Sequence, residues 1–107
     1  MYYTPDNWVV IKYPNHYRIL AGWSGGYTHG SSWRINSGVA EVVYEEPYYY
    51  FRGVSGSCYA CHKSAYGLRP NNAYVWIQLK ELQGDKVSIV DENTNWLEVD
   101  WLIGTNA

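Results

Sequence analysis

The residues from Tyr48 to Arg69, Y-Y-Y-F-R-G-V-S-G-S-C-Y-A-C-H-K-S-A-Y-G-L-R, leave this chain few ways to fold. They hold both cysteines, one of three histidines and five of twelve tyrosines. Four consecutive rings, Tyr48 to Phe51, suit a pleated strand, where neighbours point to opposite faces. Gly53-Val54-Ser55-Gly56 reads as a turn and Ser57 to Lys63 as the returning strand, broken at Tyr66-Gly67. The result is a central hairpin with one buried aromatic face. Its other face should carry Arg52 and the polar group around His62.

The rest of the chain falls around that hairpin. Asn7 to Tyr13 is apolar nearly throughout and predicts a strand buried on both faces. Pro14-Asn15 turns it back into His16 to Trp23, with Tyr17, Ile19 and Ala21 inward and Arg18 outward. Ser24 to Ser32 is a glycine-rich loop without a Walker lysine. Trp33 to Asn36 and Val39 to Glu45 read as strands around a bend or bulge at Ser37-Gly38. Beyond Pro70 the period changes. Asn71-Asn72 supplies an N-cap signal, Val75, Leu79 and Leu82 recur at helical spacing, and Gly84 closes the segment, so one helix is expected near residues 72–83. Lys86 to Val90 reads as a strand. Trp96 to Leu102 alternates and is favoured as a strand, with a short helix opened by Asn95 and Glu98 as the alternative.

The expected fold is therefore α+β. A mostly antiparallel, strongly curved sheet of six or seven strands, rolled or forming a partly open barrel, carries one packed helix. At 107 residues the chain is read as one domain, residues 1–107, with core enough to fold without staples. No apolar run reaches membrane-spanning length and residues 1–6 lack a signal-peptide layout, so the expected place is the cytoplasm, with both thiols reduced.

Charged residues are 17% and aromatic ones 18% of the chain, a balance that leaves rings over for an exposed surface. The formal charge of −2 argues against wrapping duplex nucleic acid. A small anion needs only a local arrangement. Arg18, Arg34 and Arg52 each follow a ring on a predicted strand; if those strands adjoin, their guanidinium groups line one side. Arginine forks onto phosphate while a ring stacks on a base. With Lys63 and Arg69 nearby and Trp23, Tyr27 and Tyr50 as stacking surfaces, these eight residues form the expected ligand site. The competing reading has the arginines solvated and paired with Glu41, Glu45 or Glu46.

Cys58-Tyr59-Ala60-Cys61-His62 matches the c-type haem attachment pattern, and Cys58, Cys61 and His62 could ligate zinc with His29 or His16 as fourth ligand. Cys61 could also act as a nucleophile with His16 or His29 as base. A strand opposes all three, because it sends residues 58 and 61, and 61 and 62, to opposite faces. Structural cysteines are the favoured reading, with no cofactor. No pair of carboxylates recommends acid–base catalysis, so a non-enzymatic role is expected.

Asp6 to Val10, Leu20 to Tyr27, Ser32 to Gly38, Ser55 to Ser57, Cys61 to Lys63, Tyr66 to Arg69 and Thr94 to Trp96 together resemble short uncharacterised proteins of tailed bacteriophages. The resemblance transfers no functional residue. It implies a protein acting in the cytoplasm of a bacterial host, where capture of a nucleotide or signalling nucleotide would antagonise a defence pathway. The alternative is a protein-interaction module that uses its aromatic surface to oligomerise or to inhibit a host protein. Either reading anticipates a homo-oligomer.

Overall fold

A computed structural model of the chain describes residues 2–25 and 32–102. Eight strands run in chain order: β1 (Tyr2–Tyr3), β2 (Asn7–Lys12), β3 (Tyr17–Trp23), β4 (Ser32–Ile35), β5 (Val39–Glu45), β6 (Tyr48–Gly53), β7 (Cys58–His62) and β8 (Ser88–Ile89). Helix α1 (Pro70–Gln83) lies between β7 and β8, and 3-10 turns occupy Gly84–Lys86 and Trp96–Glu98.

The strands form two sheets, not one rolled sheet: β1-β7-β6-β5 and β4-β3-β2-β8, each with four strands and neither closed. Pairing is antiparallel except for β1 on β7, which runs parallel. The two sheets enclose Trp8, Val10, Tyr17, Ile19 and Ala21 from one side and Val39, Phe51, Tyr59 and Cys61 from the other. Trp96 and Trp101 join this core. The far face of the second sheet buries Val9, Ile11 and Leu20 with Val87 against Val75, Trp76 and Leu79 of α1. That double duty explains why β2 is apolar at almost every position. Each fully buried Val, Ile, Leu or Phe contributes about 1.5–3 kcal/mol, so β2 is the most heavily invested strand of the fold.

Rings gather around Trp8: Tyr66 meets it edge-on at a centroid distance of 4.7 Å, and Phe51 and Trp96 are tilted against it at 5.3 and 5.7 Å. Tyr66 extends the β8 side of β2, where Trp8 N–H donates to Ala65 O (3.2 Å) and Gly67 N–H to Trp8 O (2.8 Å). Its hydroxyl accepts from Val10 N–H (3.1 Å) and donates to Val90 O, stitching three segments together.

Three local expectations change. Trp96 to Leu102 is not a strand: Asn95 Oδ1 accepts from Leu97 N–H (3.1 Å) and starts the 3-10 turn, which puts Trp96 and Trp101 on the same buried side. Helix α1 begins earlier, at Pro70, with Arg69 as N-cap; Asn72 is its third residue and its Oδ1 reaches back to Arg69 N–H (3.0 Å). Leu82, expected inward, is 82% exposed, because the apolar contacts of α1 with the sheet are made by Val75, Trp76 and Leu79.

A buried amide cluster anchors the start of α1. Asn71 Nδ2 donates to Asn7 Oδ1 (2.7 Å) and Asn7 Nδ2 to Asn72 Oδ1 (3.2 Å) and Gly67 O (3.1 Å). Polar groups this deep cost several kcal/mol unless paired, so the cluster fixes the helix position as well as holding it.

Candidate functional site

Strand register decides which side chains share the outer face of the first sheet. Arg52 stands between Glu41 and Cys58, Tyr50 between Val43 and Ala60, and Tyr48 between Glu45 and His62. Tyr2, paired with Cys58, completes the set from β1. An irregularity between Val39 and Glu41 sends Val39 into the core and leaves Val43 outside, 39% exposed. The inward positions of the same strands, Tyr49, Phe51, Tyr59 and Cys61, pack in the core, so the two faces of the hairpin differ as its alternation predicts.

The outward rings form a ladder across the sheet. Tyr2 lies 6.3 Å from Tyr50, Tyr50 lies 6.1 Å from Tyr48, and Tyr48 lies 5.3 Å from the His62 ring. Ala60 beneath them is only 2% exposed, whereas Tyr2 is 61% exposed. Tyr2, Val43, Glu45, Tyr50, Arg52 and Cys58 line a shallow depression of about 430 Å³.

Electrostatically this face is balanced. Arg52 Nη1 lies 3.4 Å from Glu41 Oε1. Lys63, just past β7, is tied to Glu46, which also accepts from the Tyr44 hydroxyl. The Lys63 hydrogen bond, then that of Tyr44, holds the Glu46 carboxyl below its usual range. Burial raises the Cys58 thiol above its ordinary pKa, against the pull of Arg52. The pairing of Arg52 with Glu41 is the competing arrangement anticipated for it, and a carboxylate already meets each cation of this face.

The three arginines do not converge. Arg18 projects from the helix-bearing face of the second sheet, opposite to Tyr17 and Ile19. Arg34, paired with Ala21, faces the first sheet, where its guanidinium lies 4.6 Å from the Tyr3 ring centroid. Arg52 alone reaches the outer face of the first sheet. Two packed sheets, rather than one curved one, separate them. Trp23 joins Arg34 instead: its ring is 6.2 Å from Tyr3, which lies 5.0 Å from Tyr59, and its Nε1 donates to Thr4 O (3.0 Å). Arg69 is the N-cap of α1, where its backbone N–H donates to Asn72 Oδ1. Tyr27 and His29 lie outside the described residues.

Cys58 and Cys61 occupy opposite faces of β7. Cys61 is fully buried, and burial pushes its thiol well above the ordinary value. His62 Nδ1 accepts from Ser64 N–H (3.0 Å). His16 belongs to another region, stacked on Tyr13 at 4.6 Å. Among the described residues, no three His, Cys, Asp or Glu side chains are grouped to hold a metal ion.

Tyr2 and Val43 are not singled out by the sequence, since β1 is only two residues long and Val43 is one of several apolar positions on its strand. Comparison with family models, with curated proteins and with solved structures gives no match. No helix among the described residues is long and apolar enough to cross a membrane.

Proposed function

We propose that this is a non-enzymatic binding protein that uses the outer face of the first sheet to engage another protein. One observation carries the reading: Tyr2, Tyr48, Tyr50 and Val43 stand together on an open face with a single arginine whose charge is already matched. Tyrosine and arginine are enriched in protein interfaces and lysine is depleted, and the centre of such patches is apolar with charge at its rim. A phosphate placed here would meet Glu41 and Glu45 as well as Arg52, which disfavours the anionic ligand first expected for these residues.

The charge pattern suits a second copy of the chain. Arg52 and Glu45 flank Tyr50 and Val43 at opposite ends. A two-fold meeting of two such faces sets each Arg52 near the other copy's Glu45, which is the reciprocity a symmetric interface requires. The phage resemblance suggests a host protein as the other class of partner.

Light scattering over a range of concentrations, together with capture from bacterial lysate, tests the reading. Native protein should self-associate or retain a discrete partner, and Val43→Glu with Tyr50→Ser should abolish that association while thermal unfolding stays nearly unchanged. Association that survives both substitutions, or none in either assay, overturns the proposal.

A further inference from the structure

A second surface, built from different residues, carries the chemistry of an anion site. We propose that the corner formed by Lys12, Tyr13, Lys86 and Ser88 binds a phosphate group, with Tyr13 as a platform for the organic part of a phosphate ester.

Lys12, Tyr13, Pro14, Asp85, Lys86 and Ser88 line a depression of about 380 Å³. Pairing of β2 with β8 sets Lys12 beside Ser88, and the 3-10 turn Gly84–Lys86 delivers Lys86 two residues earlier. Two lysines and a serine thus border one hollow that also has one aspartate in its lining. Arg18 adds a third cation behind it, its guanidinium 4.9 Å from the Tyr13 ring centroid. Lys80, bonded to Val87 O at 2.9 Å, offsets the partial negative charge of the α1 C-terminus nearby. Lys12, Arg18, Lys80 and Lys86 are four of the eight lysines and arginines of a chain whose formal charge is −2. This concentration contrasts with the outer face of the first sheet, where each cation is paired.

The aromatic wall is braced. Tyr13 N–H donates to His16 O (2.8 Å), and the two rings stack at 4.6 Å with planes 16° apart. His16 Nδ1 donates to Asn15 Oδ1 (2.9 Å), leaving Nε2 to accept from Arg18 Nε (2.9 Å). Burial, and then Arg18, hold the His16 pKa below its ordinary value, which keeps that acceptor available. A ring held this way needs no reordering before a planar group stacks on it.

The test is an amide and side-chain NMR titration at low salt with two probes, inorganic pyrophosphate and adenosine 5′-monophosphate. Both should move Lys12, Tyr13, Lys86 and Ser88, leave Tyr50 and Arg52 in place, and bind more weakly as salt is added. Lys12→Glu with Lys86→Glu should weaken both by tenfold or more, with folding checked by the unchanged remainder of the spectrum. Tighter binding of the nucleotide, lost in Tyr13→Leu, assigns an organic phosphate. Equal binding of the two supports the phosphate site and makes free phosphate or polyphosphate its ligand. Absence of shifts with both probes, shifts spread over all cationic residues, or binding unchanged by charge reversal would overturn the inference. Because no residue is shared with the tyrosine face, either proposal can fail without the other.

Discussion

The carboxamide of Asn71 rests directly on Gly22: a β-carbon added at Gly22 would lie 2.1 Å from Asn71 Oδ1 and 2.6 Å from its Cγ. Asn71 is almost fully buried, and among the described residues its Oδ1 has no hydrogen-bond partner, while its Nδ2 serves Asn7 Oδ1 and Ser24 Oγ. The side chain cannot retreat without giving up those bonds. Gly22→Ala is therefore expected to destabilise the fold by about 3 kcal/mol. Urea unfolding measures it. In an Asn71→Ala background the same change should cost much less, a non-additivity that identifies the contact rather than strand propensity.

Removing Asn7 strands its partners. Asn7→Ala takes the acceptor from Asn71 Nδ2 and a donor from both Asn72 Oδ1 and Gly67 O. The expected loss is about 2–4 kcal/mol, the sum of three buried or partly buried hydrogen bonds removed together, although Asn71 Nδ2 keeps Ser24 Oγ and Asn72 Oδ1 keeps Arg69 N–H. A decrease below about 1 kcal/mol in chemical denaturation would show that water replaces the amide and that the cluster does not hold α1 in place.

The two thiols should respond differently to alkylation. Cys58 is partly exposed on the outer face and Cys61 is enclosed between the sheets. Iodoacetamide should modify one thiol per folded chain, slowly because the Cys58 pKa is raised, and two after denaturation. Mass spectrometry counts them and maps the site. If the protein associates through its tyrosine face, modification of Cys58 should slow further as concentration rises.

Alkaline pH should weaken the fold through its tyrosines. Burial raises Tyr59 and Tyr66 to about 12 from an ordinary 10.0. Between those values the unfolded chain loses protons that the native one keeps, so stability is whole below about pH 10 and falls as pH rises toward 12. Denaturation midpoints followed across that window should decline, and Tyr66→Phe should flatten the decline. Tyr66→Phe also leaves Val10 N–H and Val90 O without their shared partner, at a cost of about 1–3 kcal/mol in neutral solution.

Period-two alternation made much of this fold readable. Tyr17, Ile19 and Ala21 point inward as expected, and the Tyr48-to-Lys63 hairpin stands where its rings and turn place it. What misled was information carried between segments. The apolar run of β2 shows a strand covered on both faces, as observed, but nothing local says that two separate layers provide the cover, so one curved sheet was expected where two pack. That Val39 faces the core while Val43 faces outward is not legible either, because the β5 irregularity between them leaves no mark in composition. Trp96 to Leu102 alternates well enough for a strand, but one side-chain bond from Asn95 decides otherwise. The same limitation affected the sites. Arg18, Arg34 and Arg52 share a local pattern and occupy three different surfaces, whereas Lys12 and Lys86 share no pattern and meet through a two-residue strand.

Tyr2 reaches the tyrosine ladder through β1, a strand of only two residues lying parallel to β7. Anything joined ahead of Tyr2 must leave the fold at the margin of those rings. An affinity handle fused on that side shades the very surface a binding assay interrogates, and it does so without disturbing a melting curve. Preparations meant for partner searches are best made with the handle cleaved, or carried at the opposite terminus.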